Sequence, residues 1–324
     1  MGQRRDGSWM LVLALGLASC STAPPAPLGS YASALHSSSG RPGIVLPASP
    51  LTPDQRILHV LDRLGYGPRP GDLERVSRMG LAAYIQRQLH PEDISEAGVE
   101  RALAAYRTLA MSAATLVREY PRPAMEVRAK VAAGDMSVQE MTQLFPLERR
   151  PYRIVAEMQA AKVTRAVLSE RQLEEVMVDF WLNHFNVFAQ KGPVLWMLPS
   201  YERDAIRPHG LGRFRDLLLA TARHPAMLFY LDNWMSTRAD LVAAAGPNRG
   251  RMLGLNENYA RELMELHTLG VDGGYTQQDV IEVARCFTGW SIDQPREGGG
   301  FLFRARAHDE GPKRVLGQLV AAGG

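Results

Sequence analysis

The chain has 324 residues, room for one large domain or two ordinary ones. Hydrophobic residues make up 46% and charged residues 22%, which excludes a disordered chain, a fibrous repeat and a multi-span membrane protein. The 37 basic and 34 acidic residues leave a formal charge of +3 with the signs interleaved, so no nucleic-acid footprint is expected.

The first twenty residues read as an export signal. Arg4 and Arg5 precede a short apolar run from Trp9 to Ala18, and small residues then lead to Cys20. The run is too short to span a bilayer but suits a secretory signal. Leu17-Ala18-Ser19-Cys20 resembles a bacterial lipobox, which assigns 1–19 to a signal peptide and Cys20 to lipid attachment. Ser21 follows where many lipoproteins retained in the inner membrane carry aspartate, which favours the outer membrane. Residues 21–50 hold six prolines, seven serines and three glycines, so 20–50 is predicted to be a lipidated cysteine and a disordered tether.

From Leu51 the pattern is helix after helix, and the predicted fold is an all-α, multi-helical globular domain over 51–324. Thr52-Pro53-Asp54-Gln55 reads as a capping box, and Ser137-Glu140, Ser169-Gln172 and Thr276-Asp279 repeat the signal. Apolar periodicity predicts helices near 95–118, 150–168, 170–188, 212–222, 256–269 and 277–289. The best short strand is Gly299–Arg304. With Cys20 lipidated, Cys286 stands alone as a small buried apolar residue, and neither a disulfide nor a cysteine-based metal site can be built.

Four segments together resemble the bacterial family known as domain of unknown function 1800. They are HVLDRLGYGPRPGDLERV (59–76), VDFWLNHFNVFAQKG (178–192), FRDLLLATARHPAMLFYLDN (214–233) and NENYARELMELHTLGVDGGYTQQDVIEVARCFTGWSI (256–292). The resemblance implies a mostly helical, exported protein and no established activity. It also implies further helices beyond the segment Lys313–Gly317, so the domain is expected to be incomplete at its C-terminus.

Two helices carry the candidate site residues. On 174–188, Met177, Phe180, Trp181, His184 and Phe188 share one face, which predicts a central core helix with Phe180 and Trp181 buried. Asp179, Asn183 and Asn186 share another face. On 256–269, Asn256 caps the start and Gly270 stops the end, and Leu263 and Leu266 carry His267 inward. Glu257, Arg261 and Glu265 line the opposite face at i, i+4, i+8, either as a surface ion-pair ladder or as the wall of a cleft. Glu262 lies at the edge of the apolar arc, where burial would raise its pKa. Asp232, with Asn233, closes the turn after His224-Pro225. Glu262-Met-Glu-Leu-His267 is not the HExxH zinc pattern, and no metal site is expected.

Three functions compete. The leading expectation is a cell-envelope lipoprotein, membrane-held through its lipid, that binds or assembles an exported protein or an envelope polymer. The alternative is an envelope hydrolase using His184 or His267 as base with Glu262 and Arg261. The weaker one is a haem- or metal-binding protein ligated by His184 and His267; the sequence names no cofactor. The two chemical readings require His184, His267 and Glu262 to converge.

Overall fold

Three of the expected helix starts close as their spacing requires. The Oγ1 of Thr52 accepts from the Gln55 backbone at 3.3 Å while Gln55 Oε1 accepts from the Thr52 N–H at 3.0 Å. Ser137 with Glu140 and Thr276 with Asp279 make the same reciprocal pair. Each box satisfies N–H groups that the first helical turn leaves without partners.

The computed structural model describes residues 43–123, 125–144, 146–242, 250 and 252–323. The segment read as a signal, Cys20 and the part of the expected tether up to residue 42 lie outside them. The described residues are mostly helical, and two small antiparallel hairpins are their only named sheets. No helix among them is long and apolar enough to cross a membrane.

The chain divides into two units. The first comprises 43–96 with 170–176, and the second 97–169 with 177–323. Ile57, Leu61, Val76 and Tyr84 form the apolar centre of the first unit. Its buried Asp72 is held by Arg75 at 2.8 Å and Arg69 at 3.2 Å, and these bonds outweigh burial to keep the carboxyl below its usual range.

In the second unit the expected helix at 95–118 is broken. Ala97–Leu103, a 3-10 turn at Arg107–Ala110 and Ala113–Glu119 replace it, with Ser112 capping the last piece through Thr115 N–H. Tyr152–Leu168 runs unbroken for 17 residues. The helix Gln172–His184 stops four residues short of the expected end at Phe188, which is 54% exposed. Behind it the core gathers Phe185, Val194, Met197, Ile206, Met227 and Met264.

Phe180 is 53% exposed and Trp181 half-buried, which corrects the expectation that both lie inside. The residue that takes the inward place is Phe185, one position past the helix end and fully buried. Trp181 keeps its indole N–H satisfied by the Gly210 carbonyl at 2.9 Å.

The strand expected at Gly299–Arg304 is β2 (Phe301–Phe303), paired with β1 (Trp290–Ile292). A second hairpin, β3 (Lys313–Val315) with β4 (Gln318–Val320), turns through Leu316 and Gly317 at φ 50° and 78°. Two successive positive φ values mark a tight type I′ turn, where Gly317 is at ease and Leu316 is not. Leu316 is held there by donating its N–H to Asp279 Oδ1 at 2.7 Å.

Candidate functional site

The helix 256–269 of the sequence is two structures in series. Asn258–Glu262 is α-helical, and from Leu263 to Thr268 the backbone widens into a π-helical turn. Leu269 N–H bonds back five residues to Met264 at 2.9 Å, and Gly270, at φ 90°, closes on the same carbonyl at 3.2 Å. The cap expected at Asn256 falls one residue later, on Glu257, which makes no side-chain cap; Asn256 instead accepts from Asn258 N–H at 3.0 Å in a turn leading into the helix. The widened turn keeps Leu263 and His267 inside but puts Leu266 out at 59% exposure, against the expectation that both leucines point inward.

His184 and His267 do come together, through the backbone. The carbonyl of His267 lies in the last turn of its helix, where intrahelical donors run out, and His184 Nε2 meets it at 3.0 Å. A carbonyl only accepts, so Nε2 of His184 is the donor, and in the neutral form of the ring the lone pair lies on Nδ1. Nδ1 takes no hydrogen bond among the described residues. The rings of Phe180, Trp181, Phe185 and Phe214 surround this imidazole with centroids between 4.6 and 6.5 Å away.

His267 is 5% exposed and packs against Phe185 and Tyr259, and its Nδ1 has no hydrogen-bond partner among the described residues. Burial, reinforced by the neighbouring His184, pushes its pKa down to about 4, so the ring is neutral. Among the described residues no side chain of the His184 helix, and neither Asp232 nor Asn233, hydrogen-bonds the His267 ring.

Glu262 is half-buried, and burial with the adjacent Glu265 raises its pKa as expected. It makes no hydrogen bond to either histidine. Arg261 bonds Glu257 at 3.2 Å and Gln277 at 2.8 Å, while Gln277 returns a bond to Glu257 at 2.7 Å. Glu257, Arg261 and Gln277 are thus a satisfied surface network. Asp232, at φ 59°, ends its turn and takes Lys191 Nζ at 2.7 Å. His224 accepts from Ala226 N–H at 3.2 Å, a capping role, and burial lowers its pKa to about 4. Among the described residues no three His, Cys, Asp or Glu are grouped to hold a metal ion. Cys286 is buried, which pushes its thiol up to about 11.

The polar face of the Gln172–His184 helix has a different fate. Asp179 and Asn183, with Asn186 just beyond the helix, line a cleft of about 210 Å³. Lys162, on the helix Tyr152–Leu168, pairs with Asp179 at its edge. Asn183 Nδ2 is tied to the Asp179 backbone carbonyl at 2.8 Å and its carboxylate at 3.3 Å, leaving Asn183 Oδ1 free as an acceptor. Met158, Leu182, Val187 and Leu198 form the apolar lining, and Tyr201 is fixed there by donating to the Phe185 carbonyl at 2.7 Å. Asp179 and Asn183 were legible as a shared face; Lys162, far off in sequence, was not.

One consequence of the His184 bond is measurable. His184→Phe keeps the aromatic bulk and strands the His267 carbonyl, an expected loss of about 1–2 kcal/mol in urea unfolding at pH 7.5. A loss below about 0.5 kcal/mol would show that the bond contributes nothing.

A family model described as "Protein of unknown function (DUF1800)" matches residues 59–324. No curated protein and no solved structure matches the chain.

Proposed function

The chain belongs to the DUF1800 family, and for it we propose the role of a cell-envelope lipoprotein that binds an exported partner or polymer at the Lys162–Asn186 cleft. The observation that carries this reading is the cleft itself: four polar side chains set among apolar ones, with hydrogen-bonding capacity unspent in Asn183 and Asn186. A few convergent polar groups against apolar surface are what a small-ligand site needs. The hydrolase reading has less support. His184 carries an available lone pair, but Glu262 and Arg261 make no hydrogen bond to it, and Arg261 is already engaged. The histidine-ligated cofactor reading rests on two rings whose centroids lie 6.1 Å apart, with Nδ1 as the one ligating atom His184 has left.

Binding is tested by capture of solubilised envelope material on the immobilised full chain. Asn186→Ala should reduce capture at least fivefold, and equal capture by both proteins would sink the cleft as the binding site. Anchoring is tested separately. Cys20→Ser should leave an unprocessed precursor or move the protein out of the membrane fraction. A normally matured, membrane-bound Cys20→Ser protein would overturn the lipoprotein assignment.

A further inference from the structure

We infer that the cleft takes an uncharged saccharide, one ring of a longer glycan, an inference that rests on the binding role given above. The first argument is charge. Lys162 and Asp179 pair with each other, so the cleft offers no unbalanced cation for a phosphate or carboxylate and no unbalanced anion for an amine.

The second is the pattern of what remains. Asn183 presents an acceptor, because its N–H₂ is spent on Asp179. The Asn186 side chain has no partner among the described residues and presents both C=O and N–H₂. Lys162 keeps N–H donors beyond the one given to Asp179. Donors and acceptors therefore stand side by side within one small site. A sugar hydroxyl is donor and acceptor at once, and a neighbouring pair of hydroxyls matches a primary amide.

The third is the apolar part of the lining. Met158, Leu182 and Leu198 offer apolar surface to the C–H face of a ring. The fourth is size. At about 30 Å³ per water the cleft holds roughly seven waters, close to the bulk of a twelve-heavy-atom pyranose. A peptide fits this chemistry less well. Extended peptides are held through runs of main-chain donors and acceptors, and here the available groups are side chains.

Calorimetric titration of the detergent-solubilised full chain with neutral trisaccharides (cellotriose, maltotriose, mannotriose and the β-1,4-linked N-acetylglucosamine trimer) tests this. Inorganic phosphate and a hexaalanine peptide serve as comparisons. At least one trisaccharide should bind, and Asn186→Asp, which adds charge with little change of shape, should weaken it tenfold or more. Asn186→Ala should do the same, and neither substitution should shift Tm by more than about 2 °C. Binding of phosphate or peptide in place of every trisaccharide overturns the saccharide assignment. So does trisaccharide binding that both variants leave unchanged. If no trisaccharide binds while envelope capture still depends on Asn186, the saccharide is wrong and the binding role stands. If both fail, the binding role falls with it.

Discussion

Phe185→Ala should destabilise the protein by about 3–5 kcal/mol, and Phe180→Ala by less than about 1 kcal/mol. The two phenylalanines stand five residues apart and look equivalent as letters. Phe185 is fully buried among Val194, Met197 and Tyr201, with Trp181, His184, Phe214 and His267 around its ring. Truncation there opens a cavity whose walls are helices pinned by other contacts, so collapse is limited. Phe180 is 53% exposed, and alanine in its place loses chiefly contacts with Trp181 and His184. Urea unfolding of both variants decides the matter. Equal losses would mean that the aromatic helix sits the other way round.

Stability should fall steeply as pH drops from about 6.5 to about 4. His267 and His224 both have folded-state pKa values near 4, depressed chiefly by burial. The unfolded chain takes these protons near 6.5 and the folded chain refuses them until about 4. Their contribution is therefore complete above 6.5 and is lost across that window, at about 3 kcal/mol for each histidine. Around His224, Asp204 favours the proton and Arg203 opposes it, and neither offsets burial. Below pH 4 the carboxyls of Asp72, Glu157, Asp279, Glu282 and Asp309, all held under their usual range, add a second loss. His267→Phe should roughly halve the change in unfolding free energy between pH 7.5 and 4.5. A wild-type protein equally stable at both pH values would disprove the assignment.

Local signals were the legible part of this chain. Three of the four capping boxes, the helix-stopping Gly270 and the short strand near Phe301 need only neighbours in sequence, and these are where the spacing puts them. Sequence and structure part where tertiary geometry intervenes. A helical wheel assumes about 100° per residue, and the π turn at Leu263–Thr268 breaks that assumption at Leu266. Likewise, an aromatic stripe on Gln172–His184 does not say which aromatic the core receives. For the cleft, Asp179 and Asn183 were readable as one face, whereas Lys162 arrives from another helix. A compositional hint existed. The chain has four lysines among 37 basic residues, and Lys162, Lys191 and Lys313 all sit against a carboxylate or a backbone carbonyl. A compact ammonium fits such spaces where a planar guanidinium does not.

The π turn also bears on how this segment should be set beside others. A π turn holds one residue more than the α turn it replaces. Matching 258–270 position by position to an uninterrupted helix would slide every residue after the widened turn by one place. Leu266 would then fall on the slot that His267 fills, and a surface leucine would be compared with a buried imidazole. A gap of one residue between Leu263 and Thr268 restores the correspondence, so the bulge works as a register mark: it tells which imidazole in a related chain stands where His267 stands.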